Sequence, residues 1–269
     1  MKVLITGAAG GLGRTMANEC AKRGYDLFLT DMSLVQLEKI RSGVTRLHAV
    51  NVEVFAANLT DSNSFERLLD HIDRNNLKFD MLLNIAGLDH EGGFSDRESS
   101  DIMEIVRINV EGTTRITHEL LKRRNNPFYI VFVSSLASQF PMPLKATYAA
   151  SKRYLYDLAL SLSEELRDQG VKVLVLCPGG LATTKSTIEA IEAQGFFGIA
   201  TTNRLEAVCH QSIRRVLKGK TVYFPGIFNN IIRIINKVMP RKIVTMIIYS
   251  RWRSSQKKWL KPIKAVKPV

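Results

Sequence analysis

Residues 6–13 read TGAAGGLG, directly after the apolar run KVLI at 2–5 and directly before the helix-like run RTMANECAKRG at 14–24. A glycine-rich turn between a strand and a helix is a phosphate site in outline. Gly7, Gly11 and Gly13 lack a Cβ, so the backbone can turn tightly and approach a ligand. The free N–H groups and positive end of the following helix favour a pyrophosphate. The spacing differs from G-x-G-x-x-G, with three residues between the first two glycines and one between the last two, and alone it is a weak signal. Asp31 strengthens it, at the end of the next apolar run YDLFLTD and eighteen residues past Gly13. A carboxylate there accepts hydrogen bonds from both hydroxyls of an adenosine ribose and repels a 2′-phosphate. The expected cofactor is NAD(H), with NADP(H) as the alternative.

Outward from this turn, short apolar runs alternate with amphipathic segments through residues 1–224. That is the pattern of βαβ units around a parallel sheet buried on both faces. Strands are expected at 2–6, 26–30, 52–57, 81–85, 129–134, 172–177 and 221–224, and long helices at 61–75, 99–124 and 147–168. The expected fold class is α/β: a Rossmann-type, doubly wound, seven-stranded parallel sheet with helices on both faces and a C-terminal helical extension. Residues 1–225 form the expected dinucleotide-binding catalytic domain and 226–269 the extension. With 269 residues, 45% of them hydrophobic, the chain can bury a large core. Ligands of such sheets bind at the carboxyl ends of the strands.

The formal charge of +13 suggests nucleic acid until it is located. Residues 207–269 hold fifteen Lys and Arg and no acidic residue, whereas residues 1–206 carry 23 basic and 25 acidic side chains. The basicity belongs to the tail, which lacks a nucleic-acid-binding module, so no nucleic-acid partner is expected. Cys20, Cys177 and Cys209 are few and far apart, and the five histidines show no zinc pattern. No metal is expected. The chain opens on its first strand without room for a secretory leader, so a cytoplasmic location is expected.

Chemistry enters with IVFVSSLASQFPMPLKATYAASK at 130–152: a serine pair after a strand, an irregular stretch with two prolines, then Tyr148 and Lys152 four apart on a helix. Residues at i and i+4 share a helical face. The Lys152 ammonium is therefore expected near the Tyr148 phenol, lowering its pKa and tuning it to exchange a proton with an alcohol or alkoxide.

TGAAGGLG, Asp31, NIAG at 84–87, Asn109 within RINVEGT, Ser135, YAASK and PGGLAT at 178–183 together resemble the short-chain dehydrogenase/reductases, in the order and at the intervals of that family over residues 1–225. The resemblance implies a catalytic set of Asn109, Ser135, Tyr148 and Lys152. Ser135 rather than Ser134 is selected because the family serine lies thirteen residues before the tyrosine. Asn109 resembles the asparagine that kinks a helix and holds a water in a proton relay, and Lys152 should also bind the nicotinamide ribose. The cofactor contacts implied are Gly7, Gly11, Leu12 and Gly13 at the pyrophosphate and Asp31 at the ribose. Asn58 and Leu59 stand near the adenine, the Asn58 oxygen as acceptor for the exocyclic amine. Asn84, Ala86 and Gly87 form the turn against the adenosine, and Pro178, Gly179, Leu181 and Thr183 stand beside the nicotinamide.

The implied reaction interconverts a secondary alcohol and a ketone by hydride transfer. A non-catalytic dinucleotide-binding regulator or membrane-associated scaffold is the competing class. The implied assembly is a homodimer or homotetramer. Residues 183–203 form the expected substrate lid, with Phe196, Phe197, Phe140, Met142 and Leu144 as candidates for an apolar pocket. In the extension, Phe228, Ile231, Ile232, Ile234, Ile235 and Val238 fall on one helical face, opposite Arg233 and Lys237, and Pro240 opens a second helix. Charges interrupt the apolar runs too often for a transmembrane span. Two readings stay open for this basic tail: helices lying on an anionic membrane surface, with Trp252 and Trp259 at headgroup level, or helices packed on the protein.

Overall fold

Residues alternating strictly between two hydrophobic layers build the centre of the molecule. In β1 (Lys2–Thr6), Leu4 packs to one side while Val3 and Ile5 pack to the other, all three fully buried. The same alternation runs through β2 (Asp26–Asp31), β4 (Phe79–Asn84) from Met81 on, β5 (Arg124–Val133) from Phe128 on and β6 (Val171–Leu176). With β3 (Val52–Ala56) and β7 (Val222–Tyr223) these strands form one seven-stranded parallel sheet in the order β3-β2-β1-β4-β5-β6-β7. Each large apolar side chain so buried contributes about 1.5–3 kcal/mol, which is why strands hidden on both faces read as continuous apolar runs. The computed structural model describes residues 1–183 and 185–259.

Eleven α-helices follow in chain order among the described residues: α1 (Gly11–Lys22), α2 (Leu34–Leu47), α3 (Ser62–Arg74), α4 (Ser99–Val106), α5 (Thr113–Lys122), α6 (Ala146–Glu165), α7 (Lys185–Ala193), α8 (Phe196–Thr201), α9 (Leu205–Leu217), α10 (Ile227–Val238) and α11 (Arg241–Trp259). Helices α1, α2 and α9 cover one sheet face, and α3, α5 and α6 cover the other. Side chains set several starts. Ser33 accepts a hydrogen bond from the Gln36 N–H at the head of α2, and Asp61 from the Ser64 N–H at the head of α3; such caps contribute about 1 kcal/mol each.

The helix expected over 99–124 is interrupted by a π-helical turn, Arg107–Gly112, that carries Asn109. The helix expected over 147–168 closes at Glu165, and a short 3₁₀ turn leads to Gly170 in the left-handed conformation (φ 74°). β5 begins five residues earlier than expected, because Arg124 pairs with Phe79 across an irregularity in the β4–β5 register. No helix among the described residues is long and apolar enough to cross a membrane. The side chains of Phe197, Lys237 and Trp259, and the lysine-rich stretch 260–269, lie outside the described residues.

Candidate active site

The sheet reverses its winding between β1 and β4, which lie side by side with Thr6 opposite Asn84. A crevice opens at their carboxyl ends, as at any such switch point. Thr6 stitches its floor: Oγ1 accepts from the N–H groups of Ile85 and Ala86, at 3.1 and 3.2 Å. The first glycine loop is then packed without slack. A Cβ on Gly7, which has φ 63°, would lie 2.6 Å from the Ala86 backbone. One on Gly13 would strike the Gly7 carbonyl and lie 2.7 Å from Ala8 Cα, and one on Gly11 would lie 2.7 Å from Thr183 Cβ. The loop thus binds 84–87 on one flank and the Pro178–Thr183 segment on another. No side chain caps α1, so its first N–H groups, including that of Leu12, remain donors for an anion. Asp31 ends β2 against this loop, accepting from Ala9 N (3.0 Å) and Met32 N (2.7 Å). An uncapped helix start, a loop that only glycine fits and a carboxylate beside it suit a dinucleotide. Gly13→Ala is expected to weaken binding of reduced nicotinamide dinucleotide, read by its fluorescence, by about 5- to 150-fold, since overpacking costs about 1–3 kcal/mol. Unchanged affinity would refute the cradle.

Other members of the expected cofactor set are engaged differently. Asn84 is buried and donates to Thr117 Oγ1 at 2.9 Å, tying β4 to α5. The Asn58 oxygen expected for the adenine amine already accepts from Thr60 N (3.0 Å) and Thr60 Oγ1 (2.8 Å), closing its own loop. The Leu12 and Leu59 side chains are buried in the two core layers, so only their backbones face a ligand.

At the other end of the crevice, Ser135, Tyr148, Lys152, Pro178, Gly179, Leu181 and Thr183 converge on one cavity of about 680 Å³. Position decides between the two serines. Ser134 donates to the Lys152 carbonyl at 2.7 Å, whereas Ser135 lines the cavity together with Tyr148 and accepts from Ala137 N at 3.1 Å. Lys152 is buried, donates to the Val133 carbonyl at 3.0 Å and stands 5.7 Å from the centre of the Tyr148 ring. Asn109, fully buried in the π turn, holds both backbone groups of Leu88: its oxygen accepts from Leu88 N at 2.8 Å, and its amide donates to Leu88 O at 2.9 Å. Gly87 lies between Asn109 and Lys152, because a Cβ there would be 3.1 Å from both Asn109 Oδ1 and Lys152 Nζ.

The electrostatics differ from what spacing alone predicts. Burial pushes the Tyr148 phenol up to about 12, with Asp89 adding to the shift, and burial pulls the Lys152 ammonium down to about 8. The i, i+4 spacing brings the pair together as expected. It does not lower the phenol, because desolvation disfavours the charged form of both groups.

Sequence reasoning also missed most of the wall. Asp89, Glu91 and Lys145 line the cavity beside Tyr148. Phe140 and Met142 line it as expected, but Leu144 does not, and Phe196 is 76% exposed. The roof comes from the extension: Ile232, Ile235 and Met239 of the α10 segment, and Val244, Ile248 and Trp252 of α11. Polar ties hold it there. Asn236 donates to the Gln139 carbonyl at 2.6 Å, and buried Asn229 donates to Asn203 Oδ1, which in turn accepts from Gly179 N. Helical amphipathicity in the sequence was visible, but not which neighbour the apolar face would meet.

A family model described as short chain dehydrogenase matches residues 1–194. The chain belongs to this family. Among curated relatives, an 11-beta-hydroxysteroid dehydrogenase-like 3 of Arabidopsis thaliana is 32% identical over 195 residues, covering 72% of this chain and 63% of the relative. A very-long-chain 3-oxoacyl-CoA reductase of Pyrenophora tritici-repentis is 28% identical over 203 residues, covering 71% and 58%. The chain thus spans less than two thirds of the length of these relatives. A solved structure of a 7beta-hydroxysteroid dehydrogenase superposes with a TM-score of 0.82 at 17% identity, over 92% of this chain and 96% of that one, and shares its fold. The matched residues include the glycine loop, Asp31, Asn109, Ser135, Tyr148, Lys152 and the Pro178–Thr183 segment.

Proposed function

We propose that this chain interconverts an apolar secondary alcohol and its ketone using NAD(H), with Tyr148 as acid and base. The observation that carries the reading is the convergence of Ser135, Tyr148 and Lys152 on the wall of one largely apolar cavity that also meets the Pro178–Thr183 segment packed on the glycine cradle. Bound in the cradle, a nicotinamide dinucleotide supplies or accepts the hydride. Gly7, Gly11 and Gly13 with the α1 N–H groups hold its pyrophosphate, Asp31 its adenosine ribose, and Lys152 its nicotinamide ribose. Pro178, Gly179, Leu181 and Thr183 wall the nicotinamide. Ser135 hydrogen-bonds the substrate oxygen and aligns it with the phenol; Tyr148 gives that oxygen a proton in reduction and removes it in oxidation. Asn109 holds the Leu88 backbone, and with it Gly87, which packs between Asn109 and Lys152 and helps to place the lysine.

Apolar cavity walls, and relatives named for steroids and long acyl chains, support a bulky apolar substrate. A panel of steroid, long-chain and small polar ketones, followed by absorbance of reduced nicotinamide, tests this. Turnover restricted to small polar ketones would overturn it, and turnover of none of them would favour the binding-protein class. The lowered Lys152 pKa adds a pH signature. Its ammonium is lost as pH rises through about 8, so ketone reduction should decline on the alkaline side there, where an ordinary lysine would hold its charge to about 10. A rate flat to pH 10 would remove the ammonium from the mechanism.

Helices α10 and α11 are proposed to serve as both roof and membrane contact. Ile234, Val238, Ile243 and Met246 are exposed, beside cations that no acidic residue offsets after Glu206. Exposed apolar side chains among cations fit an anionic lipid surface, from which an apolar substrate would reach the cavity beneath. Since α10 and α11 roof the site, surface substitutions test this better than truncation. Ile234→Ser, Val238→Ser and Met246→Ser combined should reduce sedimentation with phosphatidylserine vesicles at least roughly tenfold, given about 0.8 kcal/mol per buried CH₂. Equal sedimentation of both proteins would reject the membrane role.

A further inference from the structure

Behind the Pro178–Thr183 wall, three segments distant in sequence close into one knot. Asn203, between α8 and α9, holds that wall by both its backbone and its side chain. Its N–H donates to the Gly180 carbonyl at 2.9 Å, its Oδ1 accepts from the Gly179 N–H at 3.1 Å, and it forms a parallel bridge with Leu181. Its Nδ2 donates in turn to the Pro225 carbonyl at 3.3 Å, in the turn that opens α10. Asn229 of α10, fully buried, braces this arrangement. Its Nδ2 lies 2.7 Å from the Pro225 carbonyl and 3.2 Å from both Asn203 Oδ1 and the Thr201 carbonyl. Turned the other way, the amide would set its own oxygen against those three oxygens. Its Oδ1 meets no donor among the described residues, so the use of Asn229 lies in its NH₂ group.

The knot has no slack. A Cβ on Gly179 would strike the Thr201 carbonyl and lie 2.9 Å from Asn229 Nδ2, and one on Gly180 would lie 2.8 Å from Thr202 Oγ1. Gly226 has φ 84°, and a Cβ there would lie 2.9 Å from Asn203 Nδ2. Gly179, Gly180, Leu181 and Thr201 line the cavity, whereas Asn203 and Asn229 stand one layer behind them. On its other flank the wall is fixed by the Pro178 carbonyl, which accepts from Leu136 N at 2.8 Å, next to Ser135. We infer that Asn203, braced by Asn229, is a positioning residue for the nicotinamide: it holds the Gly179–Leu181 backbone where the ring packs, and so makes the turn before α10 part of the dinucleotide site. The inference rests on the reading of Pro178–Thr183 as the nicotinamide wall. Without the Asn203 side chain, the Gly179 N–H loses its acceptor, and an N–H stranded in this way draws the segment toward any position that restores a partner. Asp31 and the Thr6 floor of the crevice share no hydrogen bond with the knot, so the adenosine end of the site should stay as it is.

Two ligands separate the ends of the site. NADH carries the nicotinamide, and ADP-ribose carries the same adenosine and pyrophosphate without it. Both are titrated into the whole chain by isothermal calorimetry, and the unaltered protein should bind NADH the more tightly. Asn203→Ala should raise the NADH dissociation constant about fivefold or more, while that of ADP-ribose changes by less than about twofold. Asn203→Asp, which keeps an acceptor for the Gly179 N–H, should bind NADH more tightly than Asn203→Ala does. A merely loosened fold would weaken both ligands alike and would not be rescued by one oxygen. Equal weakening of both ligands, or an unchanged NADH affinity, overturns the inference. If Asn203→Ala fails to fold, Asn229→Ala decides by the same comparison, because it removes the brace and leaves Asn203 in place. Equal affinity of the unaltered protein for NADH and ADP-ribose would instead overturn the placement of the nicotinamide at this wall, so the two failures are distinguishable.

Discussion

Tyr148→Phe should lower kcat for ketone reduction by about 10²- to 10⁴-fold, the range expected for removing a general acid, while dinucleotide affinity changes little. The substitution is clean because the ring, not the hydroxyl, does the packing. Tyr148 sits against a small cluster of Ala137, Met142 and Ala149 with Ile248 and Trp252, contacts a phenylalanine ring keeps. Ser135 keeps its own tie in the variant, its oxygen accepting from Ala137 N at 3.1 Å. The glycine cradle lies at the carboxyl ends of β1 and β4 and has no contact that depends on the phenol. A drop in kcat with preserved binding of reduced nicotinamide therefore isolates proton transfer. Loss of both would indicate a structural role, and an unchanged kcat would end the mechanism.

The sheet was legible because its strands are buried on both faces, which leaves a mark in every residue of runs such as VLI and LFL. The chain could not show where β5 begins, since Asn125, Asn126 and Pro127 read as a turn, and only pairing with β4 recruits that stretch. Helical periodicity ran through 99–124 although a π turn interrupts it, because one extra residue in a turn hardly disturbs an apolar stripe. Motif spacing located Ser135, Tyr148 and Lys152 around one cavity, but spacing carries no information on desolvation, which reverses the sign expected for the phenol. Asp89, Glu91 and Lys145 were invisible for a different reason. Charged residues more than fifty positions apart read as solvated surface until a loop and a helix start are folded against each other. The extension was half legible: its amphipathic helices showed in sequence, and their place over the catalytic cavity did not.

NAD(H) should give a kcat/KM at least about 10-fold above NADP(H), from the charge-assisted hydrogen bond of about 1.5–3 kcal/mol that a free 2′-hydroxyl can make and from the repulsion a 2′-phosphate would meet. Asp31 offers them as a carboxylate at the end of β2, half-buried beside the glycine loop. Its Oδ2 accepts from Ala9 N and its Oδ1 from Met32 N, which fixes the carboxylate while leaving each oxygen capacity for a ribose hydroxyl. Fixed in that way it cannot swing aside for a 2′-phosphate, and the like charges repel. Arg14, exposed in the first turn of α1, is the cation nearest in sequence that could favour NADP(H), but it has no such fixed orientation. Asp31→Asn separates charge from shape. It keeps an acceptor for the loop, removes the repulsion, and should narrow the preference mainly by raising efficiency with NADP(H). Asp31→Ala should also depress efficiency with NAD(H), since the Ala9 and Met32 N–H groups lose their partner. A higher kcat/KM with NADP(H) in the unaltered protein would show that the carboxylate does not choose the cofactor and would assign that choice to Arg14.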